Sequence, residues 1–431
     1  MQIAYFSIMQ EDFLHHIWKY KKFDASDLQT TQNQPISIVN VGTHNHNAGP
    51  DFFNAQLKIG NQLWAGNVEI HIKSSDWYVH NHETDAAYDN VILHVVWEHD
   101  SEVFRKDNSQ IPTLELKSIV SQAALQNYNR LFAKTQKWIN CEKDFAEVDD
   151  FVIANWLERL YFERLERKSL EIEDLLKQSA NNWEAVLFKL LAKNFGLKVN
   201  GEAFLSLANS FDFSVIRKCQ SKLANLEALF FGQFGLLDSD VQEAYFLELK
   251  DEYHFLSNKF KLSQEGVSPL QFFRLRPPNF PTIRLSQLAN LYCENQNLFS
   301  NIVEANSLEE LYKLFSVKTS HFWETHYTFS KASKQSIKKT TKAFIDLLLI
   351  NTIVPLKFSY AKHQGKAINE EIVALMEQLT SEKNSVIEKF NSLKKVSNSA
   401  LNSQALLQLK NEYCNKNKCL QCAVGNSLLN Q

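Results

Sequence analysis

The sequence predicts an α+β protein: an N-terminal α/β region with a mixed sheet, followed by a large all-α region. Three observations carry that expectation. Between about residues 36 and 117, apolar residues alternate or run in short bursts bounded by turn residues, which is the pattern of strands. Within that stretch, Val91-Ile92-Leu93-His94-Val95-Val96-Trp97 is nearly all apolar, which suits a strand buried on both faces. After about residue 118 the strand pattern fades, and apolar positions recur at helical spacing.

The elements follow in order. Phe13, Leu14, Ile17 and Trp18 share one face of a helix over residues 10–21. Ile36–Val41 reads as the first strand, and Phe53–Ile59 as the second, ending at the Gly60-Asn61 turn. Gln62–Trp64 begins the return, Gly66 interrupts it, and Val68–Lys73 continues it. Val91–Trp97 and Ile111–Lys117 complete the strands. Asn155–Leu165 is strongly helical, with apolar residues at 156, 157, 160, 161 and 165. Helices separated by polar turns, and one proline cluster at Pro277–Pro281, fill the remainder to about 412.

A chain of 431 residues is expected to hold roughly two to four domains. The natural division is an α/β domain over 1–140 and a helical domain over 141–431. A hydrophobic fraction of 44% with 31 phenylalanines is ample for sizeable cores. The net charge of −3 gives no global basic field of the kind that announces nucleic-acid binding. Six cysteines in so long a chain do not make a secreted disulfide scaffold. No secretory leader is visible at the N-terminus, and no apolar run approaches the ~20 residues of a spanning helix. A cytoplasmic protein without a membrane partner is expected.

Nine of the 13 histidines lie in the first 100 residues, around Asp51 and Glu69. In a strand over Val68–Lys73, Glu69, His71 and Lys73 project together while Val68, Ile70 and Ile72 pack behind them. A divalent cation at a phosphodiesterase site needs hard oxygen ligands, two or more of them carboxylates. Asp51 enters one strand and Glu69 lies on the next, so a hairpin would bring them together, with Glu11 of the first helix as a third acid. Flanking candidates are His44, His46 and Asn47 before Asp51, and Asp76, His80 and His82 after the strand. The alternative is that Glu69 and His71 form the solvated face of an amphipathic strand. His94, inside an apolar strand, reads as a hydrogen-bonded core histidine before it reads as a ligand.

Pro50-Asp51 followed by Glu69-x-His71 resembles the Pro-Asp…(Asp/Glu)-x-Lys signature of the restriction-endonuclease-like nuclease superfamily. The resemblance covers about 100 residues and implies a restriction-endonuclease-like core. It also implies Mg²⁺ or Mn²⁺ on Asp51 and Glu69, with Glu11 assisting, and DNA or RNA as substrate. The sequence departs from the signature at one position, where His71 stands in place of the lysine. Strand rise puts Glu69 roughly 6.6 Å from His71 and roughly 13 Å from Lys73, so His71 is the positional equivalent. Over nearly the whole chain the sequence also resembles an uncharacterised bacterial family of domains of unknown function. The segments that carry this are Glu11–Leu14, Asn47–Phe52, Gly66–His71, Ser75–Trp77, Asn90–Val96 and Arg276-Pro277.

Cys414-x4-Cys419-x2-Cys422 places three thiols within nine residues, with Cys141 the best fourth ligand. Zinc, an iron–sulfur cluster and four free thiols are all open readings. Some restriction-endonuclease-like nucleases close their core with an iron–sulfur cluster on one distant and three C-terminal cysteines, and this sequence is similar, although Cys141 follows the putative core. Arg274, Arg276 and Arg284 flank the proline cluster, where they either grip phosphate or tie helix ends together. Lys331, Lys334, Lys338, Lys339 and Lys342 form a basic run expected on the solvated face of a helix. The functional expectation is a metal-dependent nuclease-like hydrolase. Two alternatives stand beside it: a catalytically altered nucleic-acid or protein-binding scaffold, and a histidine-rich transition-metal enzyme.

Overall fold

In a computed structural model of the chain, the described residues are 9–45, 47–132 and 137–430. The molecule is α+β and divides into two compact units. The first runs to Trp156 and regains the chain at Lys389–Lys394 and Gln408–Gln431; the second comprises Leu157–Glu388 and Lys395–Leu407. The cysteine segment at the end of the chain therefore belongs to the first unit, with the sheet.

The first unit opens with helix α1 (Glu11–Lys19), whose Phe13, Leu14, Ile17 and Trp18 are fully buried. Strands β1 (Ile36–Asn40), β2 (Thr43–His44), β3 (Phe52–Ile59), β4 (Gln62–Lys73), β5 (Val91–Glu98) and β6 (Thr113–Glu115) form one mixed, curled sheet. The order is β1-β3-β4-β5-β6, with β2 pairing to β3. β1, β3 and β4 are antiparallel, whereas β4, β5 and β6 run parallel. A crossover through helix α2 (Asp76–Val79) makes the parallel step from β4 to β5 possible.

One face of the sheet carries Leu57, Val68, Ile70, Leu93 and Val95. It packs against α1, against Tyr128 and Leu131 of helix α3 (Gln122–Phe132), and against Leu429 of the C-terminal helix Ala423–Leu429. A smaller cluster of Trp77, Tyr88, Val91, Val103 and Ile111 forms a separate core. Every residue of Val91–Trp97 is buried, as its apolar composition requires.

Gly66 does not break the returning strand, which is continuous from Gln62 to Lys73. A side chain there would place its Cβ 2.5 Å from Ile92 Cγ2 and 2.6 Å from the Asn90 carbonyl oxygen. The glycine lets the start of β5 approach β4. Facing it, β3 carries an irregularity between Phe52 and Ala55, where Asn54 adopts φ 56°. Asparagine tolerates that left-handed backbone, and such irregularities re-aim side chains beside functional sites.

The second unit is helical apart from a short hairpin, His326–Thr328 with Lys331–Ala332. The helical pattern at 155–165 belongs to a longer helix α4, Asp150–Gln178. The basic run is not one helix: residues 331–341 form the hairpin's second strand and an extended segment, and Lys342 opens the helix Lys342–Leu348. Lys338 is buried there, and its ammonium donates to the carbonyls of Trp323 and Glu324. Pro281 opens helix Pro281–Glu294, a position where a missing N–H is harmless, so Arg284 lies on a helix rather than on the proline loop. Among the described residues one helical stretch, Lys342–His363, is long and apolar enough to cross a membrane, and 67% of its most apolar window is buried inside the protein.

Gly66→Ala is expected to lower the unfolding free energy by about 1–3 kcal/mol, the usual penalty for forcing atoms into a filled interior. The effect is read as a lower urea midpoint at unchanged slope. A variant as stable as the parent would show that β4 and β5 have room to spare.

Candidate metal centre

Asp51 sits at the head of β3, at the end of a loop organised by Asn45. The Asn45 amide Nδ2 donates to the carbonyls of Asn47 (3.0 Å), Ala48 (3.2 Å) and Pro50 (3.1 Å), while its backbone N–H donates to the Asp51 carbonyl at 2.7 Å. Asn47 is thus a loop residue, exposed and bonded back to Asn45. The loop delivers the Asp51 carboxylate to two partners: Oδ2 accepts the Ile70 N–H at 2.9 Å and stands 3.2 Å from His15 Nε2.

Glu69 returns the contact, its Oε2 accepting the Asp51 backbone N–H at 3.1 Å. Neither Glu69 nor His71 is solvated: they are 5% and 1% exposed, which excludes the amphipathic-face reading. The other Glu69 oxygen, Oε1, lies 3.5 Å from His71 Nε2 and 3.4 Å from His82 Nε2. His71 Nε2 is also 3.1 Å from His80 Nδ1. The donor nitrogens of His71, His80 and His82 all lie within 4.8 Å of one another. His82 is clamped by Tyr88, whose ring stacks on it at 3.7 Å, and by the edge of Trp77. His80 is exposed and marks the open side of the cluster.

Parallel pairing sets His94 of β5 directly beside Glu69 of β4. Its Nε2 lies 2.8 Å from His71 Nδ1, inside a fully buried environment. If His71 donates its Nδ1 proton to His94, its Nε2 lone pair faces Glu69, His80 and His82, the tautomer a metal ligand needs. His94 Nδ1 is buried without a hydrogen-bond partner.

The electrostatics follow from burial and crowding. Burial, then the charge of Asp51, raises Glu69 well above the usual carboxylate range. Glu11 is raised by burial first and by the charge of Asp51 second. Burial and neighbouring imidazoles depress His71 to about 2 and His94 to about 3. For His15 burial acts downward, but Asp51, Asp12 and Glu11 outweigh it and its proton affinity is raised. The carboxyl groups of Asp51 and Glu69 beside the imidazoles of His71, His80 and His82 are a donor set suited to a cation, in which carboxylates favour Mg²⁺ or Mn²⁺ and imidazoles favour zinc or iron.

The sequence candidates therefore divide. Asp51, Glu69, His71, His80 and His82 come together, and Glu11 is linked to them only through the charge of Asp51. His44 lies at the margin, stacked on Phe52 and edge-on to His15 at 5.2 Å. Asp76 accepts the Lys73 backbone N–H, and Lys73 itself turns to Asp100, 4.0 Å away and half exposed, so it adds no charge beside Glu69. His46 lies outside the described residues. Arg274 and Arg276 are exposed, whereas Arg284 is buried on the Phe344 ring with its guanidinium bound to Asn279 and Gln287, so it presents nothing to a phosphate. His15 and the bridging role of His94 escaped the sequence reading. Glu11 and His15 are spaced i, i+4 and so share a helix face, the one signal that links His15 to the acids.

A family model described as "Protein of unknown function (DUF2851)" matches residues 11–385. The chain belongs to that family. Comparison with curated proteins and with solved structures gives no match. In this DUF2851 protein every residue of the candidate centre falls inside the matched span, while Cys414, Cys419 and Cys422 lie beyond it.

His94→Phe is expected to weaken Mn²⁺ or Zn²⁺ binding ~10–100-fold, the effect of losing a group that orients a metal ligand. Titration calorimetry would measure this, and unchanged affinity would remove His94 from the centre. The fold also carries a pH signature. His94 stays neutral when folded but takes a proton from its ordinary 6.5 downward when unfolded. The unfolded chain thus binds the extra proton, and stability falls as pH drops from 6.5 toward 3, by about 1.4 kcal/mol per unit for this residue. The urea midpoint should decline across that window, and more shallowly in His94→Phe; equal slopes would contradict a neutral buried His94.

Proposed function

We propose that this protein is a metal-dependent phosphodiesterase of nuclease-like build, acting on nucleic acid. The observation that carries the reading is the meeting of Asp51 at the head of β3 with Glu69 and His71 from β4, with Glu11 of α1 within reach of the charge of Asp51. Those are the positions that the nuclease signature would occupy. The order α1, β1, β3, β4, α2, β5, with an antiparallel meander followed by a parallel strand, supports a restriction-endonuclease-like core.

In this reading Asp51 and Glu69 hold Mg²⁺ or Mn²⁺, with Glu11 assisting. The ion would polarise a phosphoryl oxygen and acidify a bound water. The protein's own groups do the rest. His71 is uncharged, so it cannot neutralise phosphate as lysine would; its Nε2 is fit to take a proton or to ligate. His15, whose proton affinity is raised beside Asp51, is the group with cationic character next to the acids. The phosphodiester specificity rests on the resemblance, and the acid-and-imidazole chemistry on the geometry.

A second reading has its own observation. With Glu69 Oε1 beside His71 and His82, and His80 closing the imidazole group, nitrogen donors dominate one side of the site. That favours a transition-metal enzyme centred on Glu69, His71, His80 and His82. Glu69 belongs to both readings, since its two oxygens face opposite sides.

Full-length protein loaded with Mn²⁺ is expected to cut fluorescent single-stranded or duplex DNA or RNA. Asp51→Ala and Glu69→Gln should each reduce cleavage by more than the ~10–100-fold that even an outer partner supplies. Lys73→Ala should retain cleavage. Activity and Mn²⁺ binding that survive in both acid variants would end the proposal. Salt-sensitive binding without cleavage would point to the altered scaffold instead. Zinc or iron copurifying at one equivalent, and lost in His82→Ala, would favour the imidazole centre.

A further inference from the structure

Four of the chain's six cysteines line one cavity in the first unit: Cys141 after α3, Cys414 at the end of the π-helical turn Leu409–Cys414, and Cys419 and Cys422 just before the C-terminal helix. They come from segments more than 270 residues apart in sequence, as the 3.3 Å hydrogen bond from Asn140 Nδ2 to Cys419 Sγ records at |i−j| = 279. All four are free thiols. Cys219 and Cys293, in the second unit, are not part of the cavity.

The surroundings match what sulfur ligands require. The cavity wall is otherwise mainly apolar, with Leu131, Ile139, Phe145, Leu409 and Val424 shielding it. Hydrogen-bond donors nevertheless reach the sulfurs. Asn140 donates to Cys419, and the backbone N–H groups of Val424 and Gly425 are directed at Cys422. Such N–H···S contacts tune and hold metal thiolates. Lys137 and Lys410 bring positive charge near Cys419 and Cys414. A π-turn ending on Cys414 is a local departure from the α-helix of the kind that marks functional positions.

The spread of the thiols decides the kind of centre. Among the described residues the His71–His80–His82 group is the only one whose donor atoms all lie within 4.8 Å of one another. Tetrahedral zinc, with Zn–S bonds of about 2.3 Å, draws its sulfurs to within roughly 3.8 Å of each other. No three of the four thiols share such a 4.8 Å group, although all four line one cavity, and a cluster, which binds each sulfur through a different iron, needs no such convergence on one ion. We infer that Cys141, Cys414, Cys419 and Cys422 hold an iron–sulfur cluster. Cys141 and Cys419 also pack against the hydrophobic core of the sheet, so the cluster ties the end of the chain to that core. The inference is independent of the reading of the acid–histidine site.

The test is anaerobic purification of the full chain, followed by reconstitution with ferrous iron and sulfide. Iron and acid-labile sulfide are expected in a 1:1 ratio, with a broad visible absorption bleached by dithionite. Cys414→Ser and Cys422→Ser should each lose most of the iron and sulfide while keeping the parent far-UV dichroism. The paired Cys219→Ser and Cys293→Ser variant should keep them. Should a cysteine variant fail to fold, protection of the wild-type thiols from alkylation, lost on chelating the iron, supplies the same answer. Stoichiometric zinc without sulfide, no reconstitution, or a cluster undiminished by the cysteine substitutions would each overturn the inference.

Discussion

The candidate site depends on a reciprocal clasp between two carboxyl residues and two backbone amides. Asp51 offers its N–H to Glu69, and the residue after Glu69 offers its N–H to Asp51, at 3.1 and 2.9 Å. Hydrogen bonds of this kind contribute roughly 0.5–1.5 kcal/mol each. They pin the head of β3 to the middle of β4 and leave both acids in fixed directions. The Asn45 loop, the irregularity at Asn54 and Gly66 shape the backbone around that clasp.

The clasp also accounts for the layering of charge. Two acids fixed side by side repel, and a buried site amplifies the repulsion, so Glu69 retains its proton where an exposed glutamate would not. Imidazoles sit on the opposite side of Glu69, and burial keeps His71 and His94 neutral because a charged ring there would be desolvated without a full counter-charge. The arrangement holds one acid between oxygen donors and nitrogen donors. A divalent ion resolves both frustrations at once: it stabilises ionised carboxylates and uses neutral nitrogen lone pairs.

Much of this was legible in the sequence, for local reasons. Strand alternation put Glu69 and His71 on one face, and the hairpin brought Asp51 to Glu69. What alternation could not show was burial, because Trp77, Tyr88 and His82, which surround that face, come from the crossover rather than from the hairpin. His94 looked like a core histidine and is one, yet the β4–β5 register makes it the partner of His71, and register between parallel strands is not written in either strand alone. Lys73 had the right parity but not the right neighbour, since Asp100 at the end of β5 claims it. Lys338 and Arg284 departed from expectation for a common reason: buried carbonyls and amides absorbed cations that a linear pattern assigns to the surface, while Lys331, Lys334, Lys339 and Lys342 are exposed.

The histidine at position 71 is then better understood from its neighbours than as a missing lysine. A buried imidazole offers two nitrogens, and here both are engaged: Nδ1 with His94 across the parallel pairing, and Nε2 with His80 and Glu69. A lysine has a single polar terminus, so in the same position it would leave His94 with two unpartnered nitrogens in a fully buried setting. Its ammonium would also lie in the buried place of His71, which is 1% exposed, among imidazoles that supply no counter-charge. The three surrounding histidines and the substitution therefore form one physical unit. An ion held at this site would gain nitrogen ligation where a lysine would supply only charge.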